Sequence, residues 1–194
     1  MIKVSNKNSF ILYNVELETN LILKILRKEF KNSVFFFIDY IFFKKLVKKK
    51  LINLFVIKKK NKISAVITVV SNKNFLKLKY NFLIFFLFNP HKFIFNILSN
   101  LRSLSRVSSS LLNNNSLHLL HLIIYKNFFR SVSLKKKDET INFFFKQILK
   151  KFNTKSLFLC YNTNNLKAKK FYKRNNFFIY NQTKNEVFIK KKFS

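Results

Sequence analysis

Glycine and tryptophan are absent from this chain of 194 residues, and proline, cysteine and methionine occur once each. Every turn that glycine would ease therefore carries a side chain. The lone Cys160 excludes an internal disulfide framework and any zinc site built from several cysteines. Within Leu157–Tyr161 it reads as a buried, inert thiol. Acidic residues are also scarce: 7 Asp and Glu stand against 39 Lys and Arg, a formal charge of +32. Such a charge strains a compact monomer by self-repulsion, and a polyanionic partner relieves it. RNA is the first candidate, because neutralised phosphates supply most of the energy of non-specific binding. Long apolar runs are missing too. None reaches the roughly 20 residues of a membrane-spanning helix; Val34–Phe43 is broken by Asp39, and Phe82–Phe88 is short. The opening Met1-Ile-Lys-Val-Ser-Asn resembles neither a signal peptide nor an Arg-rich transit peptide.

What is present builds a core. Hydrophobic residues make up 48% of the chain and phenylalanine alone contributes 27 residues, which excludes a disordered tail. The length suits one well-buried domain over 1–194. The dominance of Lys, Asn, Ile, Leu and Phe is what an extremely AT-rich genome encodes. Codon bias accounts for the lysines better than for the missing acids, whose codons are also fairly AT-rich. The setting expected is a mitochondrial, organelle-encoded protein of the matrix, with the cytoplasm of an AT-rich bacterium as the alternative.

Along the chain, Glu18–Lys31 has a helical pattern with Leu21, Ile25 and Leu26 on one side and Lys24, Arg27 and Lys28 on the other. Val34–Val47 predicts a second helix. Leu51–Ile57 and Ile63–Val70, joined by Lys58–Asn61, predict a β-hairpin of β-branched flanks. The stretch 71–116 is a poorly matched insertion. Phe75–Phe88 fits a strand pair or a buried helix, and periodicity does not decide. Pro90 opens an inserted helix over His91–Leu112, in a helical segment near 89–116. The last third reads as strand Leu117–Tyr125, helix Thr140–Phe152, strand Ser156–Tyr161, helix Asn165–Arg174, and closing strands Phe177–Tyr180 and Glu186–Lys190. This order predicts an α/β fold, a mixed sheet flanked by helices.

The segment Asn165-Leu-Lys-Ala168-Lys-Lys-Phe171-Tyr172-Lys-Arg-Asn-Asn176-Phe177 resembles a motif of the GNAT-type N-acetyltransferase superfamily, Asn-x-x-Ala-x-x-Phe-Tyr followed by x-x-x-Gly-Phe. Asn176 replaces the glycine, the mildest exchange at a left-handed position. The resemblance implies a GNAT-like mixed sheet, with acetyl-CoA as cofactor if the protein is active. It also implies that Tyr172 protonates the departing thiolate and that Asn165 helps hold the cofactor arm. Asn165 as an N-cap and Phe171 and Tyr172 as core anchors account for the same residues. In the family's pyrophosphate loop, Arg130 matches, but Ser133 and Lys135 fill glycine positions. Asp138 and Glu139 are expected at the following helix N-terminus, where they would repel a bound anion, offset in part by Lys135–Lys137. The expectation is a lost cofactor site: no cofactor, and Arg130, Ser133, Asn165, Ala168 and Phe171 as vestiges.

No other cluster supports catalysis. His118 and His121 lie three apart on a strand and are expected on opposite faces, so no metal site is anticipated. Glu16, Glu18 and Glu29 offer a general base without supporting spacing. The positive features fit RNA instead. Lys48, Lys49, Lys50, Lys58, Lys59, Lys60, Lys135, Lys136, Lys137, Lys190, Lys191 and Lys192 are expected at element ends and turns as phosphate contacts. Arg102 and Arg106, four apart in the inserted helix, share a face. The reading is a non-catalytic structural protein contacting ribosomal RNA and neighbouring ribosomal proteins of a divergent mitochondrial ribosome. Its rivals are an active acetyl-CoA-dependent N-acetyltransferase and an accessory subunit of a mitochondrial membrane complex.

Overall fold

A computed structural model describes residues 3–5, 11–14, 19–30, 34–59, 62–89, 116–125 and 133–193. The inserted helix expected at His91–Leu112, with Arg102 and Arg106, lies outside the described residues, as do Lys60 and Arg130. The elements in chain order are β1 Lys3–Ser5, β2 Ile11–Asn14, α1 Thr19–Glu29, α2 Val34–Phe37, α3 Tyr40–Lys48, β3 Asn53–Lys59, β4 Lys62–Ser71 and α4 Asn72–Leu87. There follow β5 Ser116–Ile124, α5 Leu134–Lys151, β6 Ser156–Asn162, α6 Leu166–Arg174, β7 Phe178–Gln182 and β8 Glu186–Lys192. The strands form one eight-stranded sheet in the order β1-β2-β3-β4-β5-β6-β8-β7. Every neighbouring pair is antiparallel except β5 and β6. The mixed α/β architecture is the one expected from the order of elements.

The period-2 alternation of the central strands divides the core between the two faces of the sheet. Leu54, Val56, Val66, Val70 and Phe158 point to the side covered by α1, α3 and α4. Phe55, Ile57, Ala65, Ile67, Leu157 and Leu159 point to the side covered by α5 and α6. Strands buried on both faces read as continuous apolar runs, as β4 does.

The helices depart from expectation at their ends, each time for a local reason. α1 buries Ile22, Leu23 and Leu26, while Leu21 is exposed, so its inward face is turned from the one read in the sequence. The single helix expected over Val34–Val47 is two, because Asp39 leaves the helical path and caps α3, accepting from the Phe42 amide at 2.7 Å. Aspartate is among the best N-cap residues. The undecided Phe75–Phe88 lies in α4, which buries Phe75, Leu78, Phe82, Phe85 and Phe86 at helical spacing. α5 begins at Leu134, six residues before the expected Thr140, because Ser133 caps it through the Lys136 amide.

Three helices end in the same way without glycine. Lys50, Asn153 and Asn176 adopt φ of 55°, 49° and 58°. The next amides, of Leu51, Thr154 and Phe177, reach back to the carbonyls of Leu46, Leu149 and Tyr172 at 3.0, 3.1 and 3.0 Å. This is the Schellman closure, with the left-handed position that glycine usually fills. Asn176 therefore does what its place in the motif implies.

Candidate functional site

The parallel pair at the sheet centre opens into a wedge. Ser116, Leu117 and His118 pair with Ser156, Leu157 and Phe158, and no strand pairing joins β5 to β6 beyond them. β5 instead stays with β4 to Ile124, and β6 with β8 to Asn162. The two strands thus part towards their C-terminal ends, leaving a wedge between 119–124 and 159–162. α5 runs back from that end of β5 to the start of β6, and α6 follows directly on β6. Both helix N-termini, with their positive dipole ends, therefore lie at the open end.

β5 also carries a bulge. Thr68 faces His121 and Val69 faces Leu119, so Leu120 is the extra residue. A bulge shifts the alternation by one, so side chains three apart come to one face. Leu120 packs on the α1/α4 side. His118 stacks on Phe75 at 4.5 Å, and His121 meets Phe30 and Phe35 at 4.5 and 4.8 Å, on that same side. The expectation that the two histidines face opposite ways is thereby corrected. Both rings are buried. Burial pulls the pKa of His118 down to about 4 and that of His121 to about 3. His121 Nδ1 lies 2.9 Å from the Thr68 hydroxyl, while His118 Nε2 is buried without a hydrogen-bond partner. Among the described residues no group of three or more His, Cys, Asp or Glu is placed to hold a metal ion.

The residues of the family-like motif occupy structural positions. Asn165 caps α6, its side chain accepting from the Ala168 amide at 3.0 Å. Tyr172 is 8% exposed, with Phe177 5.1 Å and Tyr161 5.8 Å away. Burial first, then the neighbouring Tyr161, pushes its phenol well above the usual tyrosine range. A proton donor must reach the atom it serves, and Tyr172 presents almost no surface. The more exposed phenol of this pair belongs to Tyr161, half-buried on the divergent part of β6. The sequence reading missed it because strand residue 161 reads as core. Cys160 is half-buried, and burial with the charge and hydrogen bonding of Glu186 raises its thiol, as an inert cysteine requires.

At the start of α5 the charges differ from expectation. Because the helix starts at Leu134, its first turn carries exposed Lys135 and Lys136, and Asp138 and Glu139 move to the second turn. Asp138 is clamped by both Nε and Nη2 of Arg174 on α6. The repulsion of an anion by Asp138 is therefore reduced, while Glu139 stays exposed one turn beyond the lysines, which favour an anion. Ser133, expected as a vestige of the phosphate loop, is the helix cap.

The lysine runs have different fates. Lys48, Lys49 and Lys50 are exposed at the end of α3, and Lys58 is half-buried in β3, followed by Lys59. The expected closing strand ends at Lys190, but β8 continues through Lys191 and Lys192, and the three lysines are paired opposite Phe158, Leu157 and Ser156. Lys191 is structural: its ammonium donates to Asn142 Oδ1 at 2.8 Å and to the Asn175 carbonyl at 2.7 Å, and lies 4.5 Å from the Phe193 ring centroid.

A wedge between two parallel strands, a bulge on one of them and helix N-termini at its mouth invite comparison with known structures. No family model matches the chain, and no curated protein is similar to it in sequence. Solved structures are similar along nearly its whole length. The N-acetyltransferase PseH of Campylobacter jejuni, in complex with acetyl coenzyme A, matches with a TM-score of 0.56 at 18% identity, over 95% of this chain and 99% of that one. RimL, a ribosomal L7/L12 α-N-protein acetyltransferase in complex with coenzyme A, matches with a TM-score of 0.59 at 7% identity, over 99% and 98%. The ribosomal-protein-S5-alanine acetyltransferase of Vibrio fischeri matches with a TM-score of 0.57 at 12% identity, over 99% and 97%. At these identities the likeness concerns the backbone. The chain has the fold of the GNAT acetyltransferases.

Proposed function

We propose that this protein is a non-catalytic, RNA-binding structural protein built on the acetyltransferase fold, working against ribosomal RNA in a mitochondrial ribosome. The observation that supports it is a charge of +32 that the fold leaves almost unopposed. The carboxylates among the described residues are Glu29, Asp39, Asp138, Glu139 and Glu186. Asp39 is taken up as a helix cap and Asp138 by Arg174. Exposed lysines on both layers of helices thus meet little negative charge, as a surface that neutralises phosphates requires. The burial of Tyr172 supports the absence of catalysis.

A second reading is an acetyl-CoA-dependent N-acetyltransferase, favoured by the wedge, the bulge at Leu120 and the cationic first turn of α5. The residues present fit the charge of the cofactor: Lys135 and Lys136 would face its pyrophosphate. Acetyl-CoA, when bound, would supply an activated acetyl group as its thioester. Tyr161, not Tyr172, would then be the more accessible phenol.

One pair of measurements separates the readings. Binding to a single-stranded RNA should weaken steeply with salt, because each phosphate contact adds about −0.7 to the slope of log affinity against log salt for single strands. Six contacts would give a slope of about −4. Calorimetry with acetyl-CoA should show no saturable, salt-resistant binding. A shallow salt slope together with stoichiometric acetyl-CoA binding would overturn the RNA reading in favour of the enzyme.

A further inference from the structure

A groove of about 680 Å³ lies at the end of the sheet away from the wedge, where α5 turns into β6. Its rim carries Lys146, Lys150 and Lys155, all exposed, with Phe193 as a buried wall and no carboxylate among its lining residues. Lys192, exposed on β8, is paired with the lining residue Ser156 and extends the positive edge. Lys191, held beside Phe193, has its pKa lowered by burial and then by the charge of Lys146. The ammonium groups of Lys146 and Lys191 thus repel one another at the edge of a concave surface.

A simpler role accounts for part of this charge. Cations at a helix C-terminus offset the dipole, and Lys150 and Lys151 fill the last turn of α5. That role does not extend to Lys155, which lies beyond the helix, or to Lys146, more than a turn before its end. Nor does the helix end oppose an anion as a bare C-terminus would. The carbonyls of Ile148, Leu149 and Lys150 already accept from Phe152, Thr154 and Asn153. The groove therefore joins converging ammonium groups to a helix end whose carbonyls are satisfied, the setting in which a polyanion relieves the repulsion.

We propose that this groove is the principal phosphate-binding site of the protein and takes consecutive phosphates of an RNA backbone. The proposal rests on the RNA reading above and places its centre away from the strand wedge, so wedge and groove are separate sites.

The test uses the full chain and a fluorescent single-stranded RNA of mixed sequence. The variant Lys146→Glu/Lys150→Glu/Lys155→Glu is compared with Lys24→Glu/Lys28→Glu/Lys45→Glu, which makes the same change in charge at exposed lysines of α1 and α3, on the opposite face of the sheet. The groove variant should lose tenfold or more in affinity, and its salt slope should shrink by about 2, three contacts at about 0.7 each. The α1/α3 variant should lose about threefold at most. Lysine acylation of the unmodified protein supplies a readout that does not depend on variants folding. RNA should protect Lys146, Lys150 and Lys155 more than Lys24, Lys28 and Lys45. Equal losses and equal protection on both faces would overturn the groove and leave the RNA reading standing. No RNA binding by the unmodified chain would overturn both.

Discussion

Lys50 holds a left-handed backbone at φ 55° with a side chain that gains nothing from it. For an L-residue with a Cβ this region costs roughly 1–2 kcal/mol, whereas asparagine tolerates it, as at Asn153 and Asn176. Lys50→Gly should therefore stabilise the fold, less the roughly 0.4–1 kcal/mol by which glycine loosens the unfolded chain. The expected net gain is about 0.5–1 kcal/mol, or about 1–4 °C in Tm for a domain of this length. Asn176→Gly should change Tm by less. Thermal melts of the two variants check this, and an equal or larger gain for Asn176→Gly would show that the Cβ of Lys50 is not the source of strain.

At the scale of the element, β5 shows how one extra residue changes what a strand presents. The bulge at Leu120 turns His121 to the side of His118, among Phe30, Phe35, Phe75 and Phe158. Both histidines are buried and neutral at pH 7. Their folded pKa values, about 4 and about 3, lie below the ordinary 6.5. Between these limits the unfolded chain takes up protons that the folded chain does not. Stability is therefore full above pH 6.5 and falls as the pH drops towards 4 and then 3. Each histidine removes on the order of 3–5 kcal/mol across its window. Urea midpoints should fall between pH 7 and pH 5, and the fall should be smaller in His118→Gln, which cannot take up the proton. An unchanged pH slope in that variant would place the acid sensitivity elsewhere.

Across the whole molecule, charge outweighs every local feature. At low ionic strength the folded chain gathers +32 into one domain, and the Debye length shrinks from about 30 Å at 0.01 M to about 10 Å at 0.1 M. Tm should therefore rise with sodium chloride over that range, against the small change of a protein with balanced charges. Saturating RNA at low salt should raise it further. Binding to the folded state alone at 100 times Kd contributes about 2.7 kcal/mol. The observed rise should be smaller than that ceiling, because the unfolded chain carries the same lysines. A Tm that is flat in salt would show that the repulsion is already relieved within the fold.

The sequence by itself determined what depends on neighbours a few residues away. The apolar periodicity of 141–152 and 157–159 set their helix and strand, and Asn165 and Asn176 marked the start and end of α6. Part of the local detail was also legible but misread: Asp39 and Ser133 are strong caps, and each overrode the apolar pattern around it. The tertiary structure alone decided the rest. The wedge exists because β5 keeps to β4 while β6 keeps to β8. The histidines share a face because the register slips at one residue. Lys191 is a structural donor because Asn142 and Asn175, distant in sequence, meet it. Its neighbour Lys192 remains exposed. Pairing and register are set by which strands find one another, and no local pattern of side chains carries that choice.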